Sequence, residues 1–458
     1  MRENIKIKNR GEMKMKMKTK RIMGFFLALV MFMGYLPLNP TASYANGDVE
    51  INETNFEDEN FRNYVKDNFD TDKNGHLSQT ELNNVTEISI NGQSVSSLKG
   101  IEHFKNLTYL YCEKNGLTSL NLSNNTNLSK VHCGYNNLTE LDLSNNTNLG
   151  RLSCEYNDNL TSLDLSNNTK LTYLNCGNNK LTSLKLGNNT KLDELFCDNN
   201  ELPSLDVREN PNLTTLYCGN NNLKSLDLSN NTKLVVFRCE DNNNLKSLDL
   251  SNNTDLTQLW CQKNNLTSLN LSNNTYLSQL SCQNNNLTSL DLSNNTNLDY
   301  LECSNNKLTS LDLSNNTKFT ELDCSNQKYN ITVNRDTREF KYSEFPGKFN
   351  KDKVTSQDGA SFGEDALTVD SDTINEVTYK YKVNDNKDMD VTLNVTYFDP
   401  EHVENMEVKE QPTKLIYTEG EKLDLSGLVV TLTDNQGLTK DVAFKDFETY
   451  KITTNPKN

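Results

Sequence analysis

Two sets of side chains in this sequence are spaced so that they could do chemistry. The first is the run Asp70-Thr-Asp72-Lys-Asn74-Gly75-His76-Leu77-Ser78-Gln-Thr-Glu81. A hard cation such as calcium takes about six to eight oxygens, and a short loop can supply them from its positions 1, 3, 5, 7, 9 and 12. Those positions are Asp70, Asp72, Asn74, His76 through its backbone carbonyl, Ser78 and Glu81. Gly75 stands at the sharp turn and Leu77 at the apolar position, so the run matches an EF-hand loop. The spacing predicts a structural calcium site. An Asp- and Asn-rich turn capping a helix has a similar sequence, and that reading stays open. Upstream, Phe61, Tyr64, Val65 and Phe69 have helical spacing. Downstream a short helix is expected from Ser78 to about Val85. A single unpaired loop makes a poor sensor, so its expected role is mechanical, locking a helical cap over the end of whatever follows.

The second set is the cysteines. There are eleven: Cys112, Cys133, Cys154, Cys176, Cys197, Cys218, Cys239, Cys261, Cys282, Cys303 and Cys324. An odd number cannot pair completely within one chain. Successive gaps are 21 residues, with two of 22, where Asp158 and an extra Asn are inserted at the same turn. Neighbouring strands lie about 4.8 Å apart, within nominal reach of a disulfide. Side chains that all point the same way favour instead a ladder of buried reduced thiols, each a small hydrophobe. Some disulfides remain an alternative. Metal ligation lacks partners, because His76, His103, His132 and His402 are scattered.

The elements that would position these residues follow from the period. One unit, LTYLNCGNNKLTSLKLGNNTK, contains the leucine-rich repeat signature L-x-x-L-x-C-x-x-N-x-L, and its second half repeats a similar pattern. Leu107, Leu110 and Cys112 alternate inward along one strand, and Leu117, Leu120 and Leu122 along a second. No unit can bury such a face alone, so units stack into a solenoid with one continuous core. Two Asn series, one through Asn136 and Asn221 and one through Asn146 and Asn231, are placed to bond inward-turning backbone at the corners. The segment Val85–Asn106 lacks Cys and reads as a leading repeat, which makes twelve units. Gln327 replaces the Asn of the first series and marks the exit.

With these residues in view, the chain resembles the internalins, secreted Gram-positive leucine-rich repeat proteins, and within them the type with one Cys per 21-residue repeat. The resemblance covers about residues 50–458 and implies a cell-surface contact function. The expected fold is mainly β: a leucine-rich repeat solenoid (85–327) with a small helical EF-hand-like cap (46–84) and C-terminal β-sandwich-type domains. Residues 328–398 alternate as strands at Ile331/Val333, Leu367/Val369, Val377/Tyr379/Tyr381/Val383 and Val391/Leu393/Val395. This segment resembles the small β domain that closes internalin repeats. Residues 399–458 resemble a bacterial immunoglobulin-like domain. A sandwich of that kind usually needs about 75–100 residues, so the chain is expected to stop inside it.

Residues 2–21 carry a net charge of +7, and an apolar run from Ile22 to Leu38 leads to Thr41-Ala42-Ser43-Tyr44-Ala45. That pattern predicts a secretory signal peptide over 1–45. Its removal takes the net charge from −16 to −23. An extracellular or wall-associated, monomeric protein is expected, and the acidity argues against nucleic acid as partner.

Repeats permit a comparison within one chain. The second strand is nearly constant from unit to unit. In the first, the residues three before and one before each Cys change at every turn, and they point outward when Cys points in. They include Tyr109, Tyr111, Arg151, Tyr173, Phe196, Tyr217, Arg238, Trp260 and Tyr300. Aromatics and Arg are favoured at binding hot spots, and drift at solvated positions would leave mainly small polar residues. The surface is therefore expected to bind a protein or extended glycan. A structural spacer without a specific ligand is the alternative. No nucleophile–base pair, carboxylate dyad or phosphate loop stands out, so no enzyme activity is expected.

Overall fold

The computed structural model describes residues 47–418 and 421–454; the expected signal peptide lies outside the described residues. The chain enters through β1 (Val49–Glu50), α1 (Glu59–Phe69), β2 (His76–Leu77) and α2 (Gln79–Asn84). The α1 helix begins where the Asp58 carboxylate accepts the Phe61 amide at 3.0 Å, and it buries Phe61 and Val65. The short α2 starts at a capping box between Ser78 and Glu81. Ser78 and Val85, expected as helical, are its caps. Inside the loop, β2 pairs antiparallel with β1, Val49 opposite Leu77.

Twelve three-residue strands then form one parallel sheet. They are Glu87–Ser89, Tyr109–Tyr111, Lys130–His132, Arg151–Ser153, Tyr173–Asn175, Glu194–Phe196, Thr215–Tyr217, Val236–Arg238, Gln258–Trp260, Gln279–Ser281, Tyr300–Glu302 and Glu321–Asp323. Adjacent strands pair without slippage, as in Leu195↔Leu216 and Phe237↔Leu259. A one-residue slip would turn every buried Leu outward, so the core sets the register. The expected second strand forms differently. Among the described residues only Ser162–Asp164 and Ser183–Lys185 pair there. Its inward leucines are still buried, as at Leu163 and Leu186. The nearby corner carbonyls are taken by Asn amides of the following coil, as at Val207 and Asn210, rather than by a regular strand ladder.

Both Asn series do this work. Asn221 donates to the carbonyls of Cys197, Cys218 and Gly219, each at 3.1 Å, and its side-chain oxygen accepts the Leu202 amide at 3.0 Å. Asn231 donates to Val207 and Asn210 at 3.0 and 2.9 Å. Gln327 continues the first series while opening the next strand. Its longer amide reaches Cys303 and Cys324 at 3.0 and 3.1 Å, and it accepts the Leu308 amide.

Gln327–Asn334 then pairs in parallel with Lys387–Phe398, which pairs with Glu376–Asn384 and through it with Val354–Asp358. Glu339–Lys341, Ala366–Val369 and Ala360–Phe362 form a second sheet. This β domain packs on the last coils: Tyr379 donates to the Thr309 carbonyl at 2.7 Å and the Leu313 amide donates to Val383 at 3.0 Å. One hydrophobic core runs from Phe56 through the solenoid to Val395. A separate small core of Phe398, Val430, Leu432, Val442 and Phe447 belongs to a three-stranded sheet of Val403–Glu410, Val429–Asp434 and Thr439–Ala443.

Candidate functional site

In most solenoid strands the middle residue is buried and its two neighbours are only partly covered. Every varied residue expected on this face lies there, but the residues do not stand apart. Arg151 lies 4.1 Å from the Tyr173 ring, Tyr173 5.7 Å from Phe196, and Phe196 edge-on to Tyr217 at 4.8 Å. The Arg238 guanidinium then lies between Tyr217 at 4.7 Å and Trp260 at 4.2 Å. Six consecutive strands thus carry one chain of stacked cations and rings. Cation–π contacts of this kind are worth about 0.5–2 kcal/mol each, enough to hold long side chains in place. Trp260, expected to be exposed, is half-buried because Arg238 lies over its ring. Tyr111 is half-buried beside Lys130 and His132, Tyr109 is 41% exposed, and Tyr300 sits further along with its phenol pushed up to about 12 by burial and by Glu302.

Two residues escaped the sequence reading. Two positions after each Cys the backbone is left-handed at every turn, and Asn fills six of the eleven positions. Asn tolerates that conformation and bulky residues do not. Tyr135 and Tyr156 nevertheless occupy it, each with φ of 55°. Their rings stack at 4.4 Å, and they remain 43% and 42% exposed. Comparing this column between repeats, rather than the strand alone, would have found them.

In the loop between α1 and α2 one carboxylate oxygen each from Asp70, Asp72 and Glu81 lies within 4.8 Å of the others. Asp70 accepts the amides of Asn74 and Gly75 at 3.1 and 3.0 Å. One Glu81 oxygen accepts the Thr71 amide and hydroxyl, and the other accepts those of Ser78. Burial raises the Glu81 pKa, but these four donors outweigh it and bring the group down to about 2. Three converging carboxylates in an oxygen-only set fit a hard cation. Asn74 points its side-chain oxygen at the His76 amide and donates its Nδ2 to Asp72 at 2.8 Å, and the Ser78 hydroxyl donates to Glu81 at 2.8 Å, so both side chains touch the carboxylates.

All eleven cysteines are free and buried. Burial pushes their thiols up, Cys261 to about 12 and Cys324 to about 11. The thiolate is the reactive form, so at neutral pH these groups act as core.

A solenoid with a buried Cys in every Asn-cornered coil is now in view, and it has a counterpart among known proteins. Internalin J of Listeria monocytogenes serotype 4b (strain F2365) is 39% identical over 71 residues, which is 16% of this chain and 8% of that protein. Over those residues the chain resembles internalin J. Residues 410–457 match the bacterial Ig-like domain (group 3). Among solved structures, the chain is similar to the functional domain of InlJ from Listeria monocytogenes, which includes a cysteine ladder. That similarity is at 27% identity and a TM-score of 0.46, covering 76% of this chain and 99% of the other. It is also similar to an internalin, InlF, from Listeria monocytogenes str. 4b F2365, at 24% identity and a TM-score of 0.44, covering 61% and 98%. No helix among the described residues is long and apolar enough to cross a membrane.

Proposed function

We propose that this chain is a secreted or cell-surface bacterial binding protein whose ligand, a protein or extended glycan, docks on the outward face of the twelve-stranded sheet. One observation carries this reading: the buried side chains repeat from coil to coil while the displayed ones change and join into a continuous chain of rings and cations. An invariant frame with a varied display is what selective recognition requires. The test is retention of host-surface or bacterial-surface extracts on the immobilised full chain, repeated with Phe196→Ala/Trp260→Ala. Retention should fall by about tenfold or more, the usual cost of removing hot-spot aromatics, with the circular dichroism of the folded chain retained. Specific retention that survives the double substitution would move the site elsewhere. No specific retention at all would favour the spacer.

The same reading gives calcium a structural role, with Asp70, Asp72 and Glu81 as carboxylate ligands and Asn74, Ser78 and the His76 carbonyl completing the shell. Bound calcium would neutralise three crowded carboxylates and tie α1 to α2. Calorimetry should show one site, and calcium at about a hundredfold its Kd should stabilise the fold by about 2.7 kcal/mol. Glu81→Gln should abolish both effects. Absence of heat and of any melting shift would reject the site.

A further inference from the structure

The position just after each Cys, at the C-terminal end of every sheet strand, has its own pattern. Over seven successive coils it reads Glu113, Gly134, Glu155, Gly177, Asp198, Gly219, Glu240. Acid and glycine alternate strictly. None of these three glycines has positive φ, so the backbone does not require glycine there. Space does. A Cβ at Gly134 would stand 2.9 Å from the Glu155 carboxyl carbon, and one at Gly219 would stand 2.7 Å from that of Glu240. At Gly177 it would stand 3.2 Å from an Asp198 oxygen. Each glycine leaves a notch, and the acid of the following coil leans into it.

The result is a row of recessed carboxylates along one edge of the display face. All four acids are half-buried. Among the described residues no ion pair takes Glu155, Asp198 or Glu240, and one Glu240 oxygen is buried without a hydrogen-bond partner. Arg238, the nearest cation in sequence, is engaged between Tyr217 and Trp260. Burial also pushes Asp198 and Glu240 upward, against the opposing pull of the Arg238 charge on both.

The spacing selects the counter-charge. Adjacent strands lie about 4.8 Å apart, so seats on alternate coils recur at about 9.6 Å. A polyproline II helix repeats every three residues at about 3.1 Å per residue, which is about 9.3 Å. A β-strand brings side chains back to one face at about 6.6 Å and falls out of step at once. We propose that the sheet face takes an extended basic segment in polyproline II conformation, with Lys or Arg at every third residue seated on Glu113, Glu155, Asp198 and Glu240 and its backbone lying along the aromatic chain. This deepens the docking reading above and rests on it.

The probe is a labelled peptide of four Pro-Pro-Lys triplets, measured by fluorescence anisotropy on the full chain. The comparator has the same length and four Lys at alternate positions. The triplet peptide should bind about tenfold or more tightly, because both peptides share the unspecific attraction that salt screens beyond about 8 Å. Gly219→Ala changes no charge and displaces only the Glu240 side chain. It should lower triplet binding about threefold or more, and Asp198→Asn should do the same, while the melting curve stays in place. Equal affinity for the two peptides, or no binding of either, would overturn the proposal. If extract retention still depends on Phe196 and Trp260 in that case, the docking face stands and only the basic, triplet-spaced ligand is rejected.

Discussion

Asn221→Ala should destabilise the solenoid by about 1–3 kcal/mol, the cost of leaving one buried polar group unpaired. The substitution strands the Leu202 amide and takes one of two donors from the carbonyls of Cys197, Cys218 and Gly219, which keep the Asn200 side chain, the Asn242 side chain and the Asn199 amide. Water cannot easily replace the lost amide, since Asn221 is 5% exposed in the middle of the repeat array. Asn230→Ala is the matched control. Asn230 is exposed and makes one bond to the Arg208 carbonyl at 3.1 Å, so its loss should stay within about 0.5 kcal/mol. Urea denaturation of both variants decides the matter. Equal, small losses would mean that the ladder is decoration and that the leucines alone hold the coils.

The same reasoning explains how much was legible in advance. Cys and Leu recur because the core demands it, so the period itself located the sheet strands, the twelve coils and the free thiols. The β domain was readable for a similar reason, since Val377, Tyr379, Tyr381 and Val383 alternate along a strand with one buried face. The second strand was overread. Leu163 and Leu186 are buried as expected, but inward alternation states only which side chains are covered and says nothing of whether the backbone pairs.

The candidate site was legible as a set of positions and not as an arrangement. Arg238 and Trp260 are 22 residues apart, and their contact depends on strands pairing in register. Tyr135 and Tyr156 were hidden because their importance lies in an unusual φ, visible only where the rest of the column is mostly Asn. The glycine notches were hidden too. A glycine after Cys reads as a turn until the next coil's carboxylate is seen lying over it.

The cap makes the other large prediction. Gly100→Val should cost roughly 4 kcal/mol or more, combining overpacking with a strained backbone, and should detach α1 and α2 from the first coils. Gly100 has φ of +103°, and a Cβ there would stand 2.4 Å from the Phe56 ring and 2.5 Å from the Asn55 backbone oxygen. A ring can turn aside, but a backbone oxygen moves only with its chain. That chain holds Phe56, which packs on Phe61 and Phe104 where cap and solenoid share one core. The docking also rests on the Asp58 carboxylate, which accepts the Ser96 amide and hydroxyl at 2.8 and 2.7 Å, and on the Tyr64 hydroxyl, which accepts the Ser89 amide at 3.0 Å. Displacing Phe56 should loosen these bonds together and open residues 47–84 to protease. Gly92→Ala separates the two causes. Gly92 also has positive φ, at +65°, but a Cβ there would meet nothing within 4 Å. Strain alone should cost it about 1 kcal/mol, with the cap still protected from cleavage. If Gly100→Val behaved no worse than this control, the cap would not be clamped onto the solenoid through Phe56, and the open end of the core would need another shield.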